Sequence, residues 1–277
     1  MKNIIFYKFS GSGNDFIIID NRQNILTPPS LPGFVMNLCK RKMSAGADGL
    51  ILIENSQNAD FKWHFYNSDG SLAEMCGNGA RCAARFAFLN EIAGKRMSFE
   101  TVAGIVNAEI LDEMVKIKLT DPVDFIPDFI LELSSGNTSL GKINTGVPHV
   151  VIETDDLDNI NLVKLGKEIR FHNLFAPAGT NVNFASIKNK NTIEIRTYER
   201  GVEDETLACG TGSVASAMII AHNRGIKPPL KVITRSGCIL TIHFKEKGGD
   251  FYDVYLEGDA RIIYKGELFE DAWNYRS

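Results

Sequence analysis

Two cysteines stand in matching surroundings far apart in the chain. Cys76 opens CGNGARC and Cys209 opens CGTGSVA, an offset of 209 − 76 = 133 residues. A glycine follows each cysteine and leaves the backbone bare toward a ligand. A thiol at a helix N-terminus also loses its proton early. Two such sulfurs, one ionised and one protonated, can remove a proton from one face of a carbon and deliver one to the other. The net result is inversion of a stereocentre. Cysteine suits both tasks, because its ordinary pKa of about 8.5 falls at a helix start into a range where both forms are accessible. The two would titrate as a coupled pair.

The α-proton of an amino acid is weakly acidic, so negative charge developing on the carboxylate must be stabilised. The backbone N–H groups of Gly77, Asn78, Gly210 and Thr211, at two expected helix starts, suit that task. One such donor is worth roughly 10²–10³ in rate.

The elements that position these groups follow from an internal repeat. At the offset of 133, Gly13 matches Gly146, Gly46 matches Gly179, and Thr101 and Gly104 match Thr234 and Gly237. Phe65 matches Tyr198 at the same offset, and the motifs keep their order with no gap. This predicts a duplicated α/β (α+β) unit running strand, Gly turn, strand, strand, CGxG, helix, strand. Phe16 to Ile19 and Val150 to Ile152 read as short strands. Cys82, Ala83, Phe86 and Ala87, and again Val214, Ala215, Met218 and Ile219, recur at helical spacing as core faces. Gly94 and Gly225 are the expected helix stops. The stretch 119–129, with two prolines, reads as an extended linker. The expected domains are 1–118 with 264–277, carrying Cys76, and 119–263, carrying Cys209. Two copies packed about an approximate two-fold axis would set the two cysteines opposite each other across a cleft.

The polar residues break the symmetry. At the same offset Asn67 pairs with Arg200, Tyr66 with Glu199 and Phe16 with His149. Such a cleft suits a substrate with two different ends. Arg200 is suited to a carboxylate and Glu199 to an ammonium, and Pro148 in a Gly turn aims His149 at the cleft.

Bulk properties narrow the class. The chain has 277 residues, is 44% hydrophobic and 23% charged, and carries a net charge of −4. No Lys or Arg block suggests nucleic acid or a lipid surface. The N-terminal apolar run, Ile4 to Tyr7, is too short for a signal peptide and nothing approaches a membrane span, so a cytoplasmic protein is expected. Five cysteines without C-x-x-C spacing argue against a disulfide framework or a metal site. Cys39, Cys82 and Cys238 read as small buried hydrophobes.

With these residues in hand, the sequence resembles the diaminopimelate epimerase family. The resemblance rests on FSGSGNDF, FYNSDGS, EMCGNGAR, TGVPHVV, GTNVNFA and YERGVEDETLACGTG, and runs from about residue 7 to residue 265. It implies two similar domains, each a strand barrel around a central helix. It also implies a cofactor-free epimerase that interconverts L,L- and meso-diaminopimelate in lysine and peptidoglycan precursor synthesis. By the resemblance Cys76 and Cys209 are the base and acid, assisted by His149 and Glu199. Asn14, Asn67, Asn181, Glu199 and Arg200 contact substrate. The family often dimerises, so a homodimer is expected, with a small amino acid as the binding partner. The chain departs from the pattern at Val147, where many members have asparagine, and at Gly49 and Ser10.

Rival readings exist. Proline racemase-like enzymes also use two cysteines but usually show CGHG, and the phenazine-synthesis isomerases lack the pair. A thiol oxidoreductase would need a redox motif that is missing, since GSGNDF is not G-x-G-x-x-G. A non-catalytic duplicated binding module would explain the glycines but not the recurring cysteine.

Overall fold

A computed structural model describes residues 4–26 and 31–275. The chain divides into two compact units, residues 1–117 with 258–277, and residues 118–257. The chain re-enters the first unit at Gly258, earlier than the expected 264. The reason is that strand β18 (Arg261–Leu268) pairs with β1 (Ile4–Gly11) from Ser10↔Arg261 to Ile4↔Leu268.

In the first unit β1 and β2 (Asn14–Asp20) form a hairpin, and β2 runs parallel to β3 (Gly49–Glu54) after α1 (Leu31–Cys39). Then follow β4 (Phe61–Asn67), the short β5 (Leu72–Ala73), helix α2 (Gly77–Leu89), β6 (Arg96–Thr101), β7 (Gly104–Leu111) and β8 (Met114–Lys118). β3 and β4 are antiparallel, β4 and β6 parallel, and β6, β7 and β8 antiparallel. The resulting order is β18-β1-β2-β3-β4-β6-β7-β8. Helix α2 touches β18, β1 and β2 at one end of that order and β7 near the other, so the sheet curls around it.

Why the strands take this form is plain in β2. Ile17 and Ile19 face a cluster with Leu31, Val35 and Leu38 of α1, whereas Phe16 meets Phe65 of β4. Both faces are covered, so the strand reads as one apolar run. The central helix is lined by small residues: Ala80, Cys82, Ala83, Ala84 and Ala87 are all fully buried.

The second unit repeats the plan with β9 (Val123–Leu133), β10 (Gly136–Asn144), β11 (Pro148–Glu153), α3 (Leu162–Arg170), β12 (Asn181–Asn189), β13 (Thr192–Glu199), β14 (Asp204–Thr206), α4 (Gly210–Arg224), β15 (Leu230–Ile233), β16 (Ile239–Lys247) and β17 (Asp250–Asp259). β11 is parallel to β12 and β13 to β15, as β2 is to β3 and β4 to β6. Helix α4 is buried on every side from Gly212 to Ala221, Ser213 and Ser216 included, the mark of a helix enclosed by its own sheet. The matched turn glycines share their backbone: Gly13 and Gly146 have φ 95° and 106°, Gly46 and Gly179 have 69° and 65°. That left-handed region is open chiefly to glycine.

Four expectations need correction. The repeat is not gapless. Phe16 pairs with Gly49 in one unit, whereas His149 pairs with Asn181 in the other, so the offset falls from 149 − 16 = 133 to 181 − 49 = 132. It stays there through β4 and β13 and returns to 206 − 73 = 133 at β5 and β14. The side chains agree: Tyr66 and Tyr198 both face the outer core clusters. A slip of one residue would turn every side chain to the opposite face. The match of Tyr198 is therefore Tyr66, not Phe65, and Asn67 corresponds to Glu199, not Arg200.

Helix α2 stops at Asn90, whose backbone and side-chain N–H groups both reach the Phe86 carbonyl, before Gly94 is reached. Gly225 is the left-handed cap expected for α4. The stretch 119–129 lies within the second unit, and most of it is β9, paired with β10; the pairing is irregular beside Pro127, which has no N–H to give. Cys238 is half-buried rather than core, while Cys39 and Cys82 are buried as expected. Among the described residues no helix is long and apolar enough to cross a membrane.

Candidate functional site

Each CGxG cysteine caps its helix. Cys76 has extended backbone (φ −146°, ψ 115°), and its sulfur accepts from the Gly79 N–H at 3.5 Å. Cys209 does the same (φ −122°, ψ 111°) toward Gly212 N–H at 3.4 Å. Ser, Thr, Asp and Asn are the usual residues at this position, so cysteine at both is a chemical choice. A thiolate accepts such a bond more strongly than a thiol does, and the helix dipole adds to the preference. Burial pushes the Cys39 thiol up to about 12 and raises the fully buried Cys82 further, which leaves both inert.

In the first unit the chain of polar contacts runs Arg81, Asn78, Asn14, Asp48. Arg81, fully buried one turn into α2, donates at 2.8 Å to both Asn78 Oδ1 and Ser12 Oγ, and at 3.2 Å to the Asp259 carbonyl. Asn78 Nδ2 donates to Asn14 Oδ1 at 2.6 Å, and Asn14 Nδ2 donates to Asp48 at 3.1 Å. Gly77 begins the helix beside them. Asn67 ends β4, exposed, with its amide on Ser71 Oγ at 3.0 Å, and no described hydrogen bond joins it to the Asn14 chain. Asp48, Arg81 and Asp259 escaped the sequence reading. A helix arginine reads as a solvated face, and Asp259 is remote in sequence.

In the second unit His149 meets Thr211 at the start of α4, and Asn181, Arg200 and Glu199 are held by their own partners. His149 is fully buried on β11, and its Nε2 lies 3.0 Å from Thr211 Oγ1; that hydroxyl lies 3.6 Å from Cys209 Sγ. Burial, reinforced by the positive charge of Arg200, pulls the imidazole from 6.5 down to about 3, so it is neutral. Asn181, opposite His149 in the parallel ladder, donates to the Pro148 carbonyl at 3.0 Å and accepts from the Arg200 N–H at 2.9 Å. Arg200 also reaches the Ala178 carbonyl at 3.4 Å. Glu199 accepts from Thr206 Oγ1 at 2.7 Å; burial raises its carboxyl above the ordinary value, against the lowering effect of that bond. Asn183 is a fully buried site residue absent from the sequence reading, although its spacing of two from Asn181 on a strand puts both on one face.

Gly77 and Gly210 are not there for steric reasons. A Cβ on Gly77 would meet only Ile117 Cδ1 at 3.8 Å, and one on Gly210 only Leu256 Cδ1 at 3.7 Å. At Gly49 the reverse holds: a Cβ would come within 2.5 Å of Phe65 and of the Tyr66 carbonyl. Packing alone thus requires glycine at position 49.

Comparison with known proteins points to one family. A family model described as diaminopimelate epimerase matches residues 6–126 and 141–263. The diaminopimelate epimerase of Aquifex aeolicus (strain VF5) is 47% identical over 283 residues, covering 98% of this chain and 99% of that one. That of Hydrogenobaculum sp. (strain Y04AAS1) is 45% identical, covering 96% and 98%. Among solved structures, a Bacillus anthracis phenazine biosynthesis protein of the PhzF family superposes with a TM-score of 0.73 at 15% identity, covering 97% of this chain and 100% of that one. A probable proline racemase from Agrobacterium radiobacter K84 gives 0.68 at 16%, covering 98% and 94%. At such identities the likeness is one of fold.

Proposed function

The chain belongs to the diaminopimelate epimerase family, and from that premise we propose that Cys76 and Cys209 invert the α-carbon of L,L-2,6-diaminopimelate to the meso form without a cofactor. One sulfur, as thiolate, takes the α-proton; the other, as thiol, gives its proton to the opposite face. Each turnover leaves the two protonation states exchanged, which readies the pair for the reverse reaction. The negative charge that develops on the substrate carboxylate is held by the backbone N–H groups of Gly77, Asn78, Gly210 and Thr211 at the two helix starts.

The observation that carries this reading is the pair of cysteine N-caps, each with a backbone N–H aimed at its sulfur. Asn14, Asn67, Asn181, Glu199 and Arg200 recognise the two ends of the substrate. His149 and Glu199 support the thiols. The alternative of a proline racemase-like activity draws on fold likeness alone. The test is turnover of L,L-diaminopimelate by Cys76→Ala and Cys209→Ala, each checked for unchanged folding by circular dichroism. Both should lose epimerisation by several orders of magnitude; near-normal turnover by either removes the two-base assignment.

The reading extends to a cytoplasmic enzyme that works as a homodimer. β18 exposes Ile262, Ile263 and Tyr264 along one strand, and a second copy is the simplest cover for such a stripe. Sedimentation of Tyr264→Glu tests it: a monomer supports the stripe as the dimer face, and an unchanged dimer places that face elsewhere.

A further inference from the structure

We propose that Asn183 is a positioning residue that fixes the proton of His149 on Nε2, and that this N–H, relayed by the Thr211 hydroxyl, favours the thiolate form of the Cys209 sulfur.

The orientation of the Asn183 carboxamide is the starting point. Its Nδ2 lies 3.0 Å from the Val150 carbonyl, which can only accept. Its Oδ1 lies 3.0 Å from Thr197 Oγ1, the residue directly opposite on β13. A flipped amide would set two carbonyl oxygens against each other. The second N–H of the same group therefore faces His149 Nδ1, 3.1 Å away. A neutral imidazole that accepts at Nδ1 carries its proton on Nε2. That N–H donates to Thr211 Oγ1, and the hydroxyl is left to turn its own proton to Cys209 Sγ. The directions from Val150 as far as Thr211 follow from a carbonyl that has no proton to give, and the Thr211 hydroxyl keeps its own proton for a sulfur that is a thiolate.

The glycine after Thr211 belongs to the same device. A Cβ on Gly212 would sit 2.3 Å from Asn183 Oδ1 and 3.2 Å from Cys209 Sγ. The last glycine of CGTG thus makes room for the carboxamide beneath the first turn of α4. Arg200 is the charged group that acts on His149, and its positive charge opposes a second proton on the ring.

The relay is built in one unit only. By the strand registers, His149, Asn183 and Thr197 correspond to Phe16, Ile51 and Phe65. All three are buried and apolar, and two of the rings meet edge to face at 5.8 Å. One copy of the fold fills this space with hydrocarbon, and the other fills it with an oriented hydrogen-bond chain that ends on sulfur.

The inference rests on Cys209 being one of the two bases, but its tests need no substrate, so loss of turnover and failure of the relay are separable. The first uses wild-type protein with ¹⁵N-labelled histidine, the His149 signals being assigned by their disappearance in His149→Gln. Nδ1 should resonate as unprotonated and Nε2 as protonated from pH about 5 to about 8. A proton on Nδ1, or an imidazolium in that range, overturns the proposal. The second follows alkylation of Cys209 by iodoacetamide against pH, read by mass on its peptide. Thr211→Val should move the midpoint up by about one pH unit, the size of one lost hydrogen bond to a thiolate, and Thr211→Ser should bring it back. A midpoint that Thr211→Val leaves unchanged overturns the relay.

Discussion

The side-chain amide of Asn78 lies 2.6 Å from the carboxamide oxygen of Asn14. Two residues that sequence alone assigns to substrate binding are thus held by each other and, behind them, by buried Arg81. Removing that guanidinium leaves the acceptors on Asn78, Ser12 and Asp259 without it. Arg81→Leu should cost about 2–4 kcal/mol of stability, since each stranded buried acceptor costs roughly 1–3 kcal/mol and the site relaxes in part. Arg81→Lys keeps the charge but not the fork, so its loss should be smaller but clear. Urea midpoints at constant slope measure both.

The glycines after the two cysteines make a sharper case. Alanine fits at Gly77 and Gly210, where the nearest atoms are at ordinary contact distance. Gly77→Ala and Gly210→Ala should therefore fold with an unchanged melting temperature, yet lose kcat/KM by about 10²-fold as the methyl group screens the N–H donors from the carboxylate. Gly212→Ala should differ: its methyl group collides with Asn183 and should destabilise the protein by about 1–3 kcal/mol. Calorimetry beside steady-state kinetics separates the two classes.

His149 gives stability a defined pH dependence. Its pKa falls from 6.5 to about 3 on folding, so the unfolded chain binds a proton that the folded chain refuses. The contribution is complete above pH 6.5 and is lost as pH drops from there toward about 3. Over that span it should remove about 1.4 kcal/mol per pH unit. His149→Gln should flatten the stability curve between pH about 6.5 and about 5, before the carboxylates titrate. Chemical denaturation at several pH values checks this; an unchanged slope in the variant contradicts it.

Much of this arrangement was legible in the sequence. Glycine-centred turns carry their backbone requirement openly, so Gly13 with Gly146 and Gly46 with Gly179 gave away the duplication, and the two CGxG starts marked their helices. The missed one-residue shift sits just after Gly46, where no motif marks the count, and only strand pairing shows that Asn67 answers to Glu199. The stretch 119–129 misled because its prolines suggest a break, although β9 tolerates Pro127 where its ladder is already irregular. Arg81 and Asn183 act by supporting other side chains, and such roles depend on which neighbours the fold supplies.

The two-base claim is tested most directly by incubating L,L-diaminopimelate with the wild-type enzyme in deuterated water and sampling early. The account predicts product carrying solvent deuterium at the inverted α-carbon while unreacted substrate still carries protium, because one sulfur takes the proton and the other supplies a different one. Product that retains the original protium, or residual substrate that becomes labelled as fast as product, would contradict it.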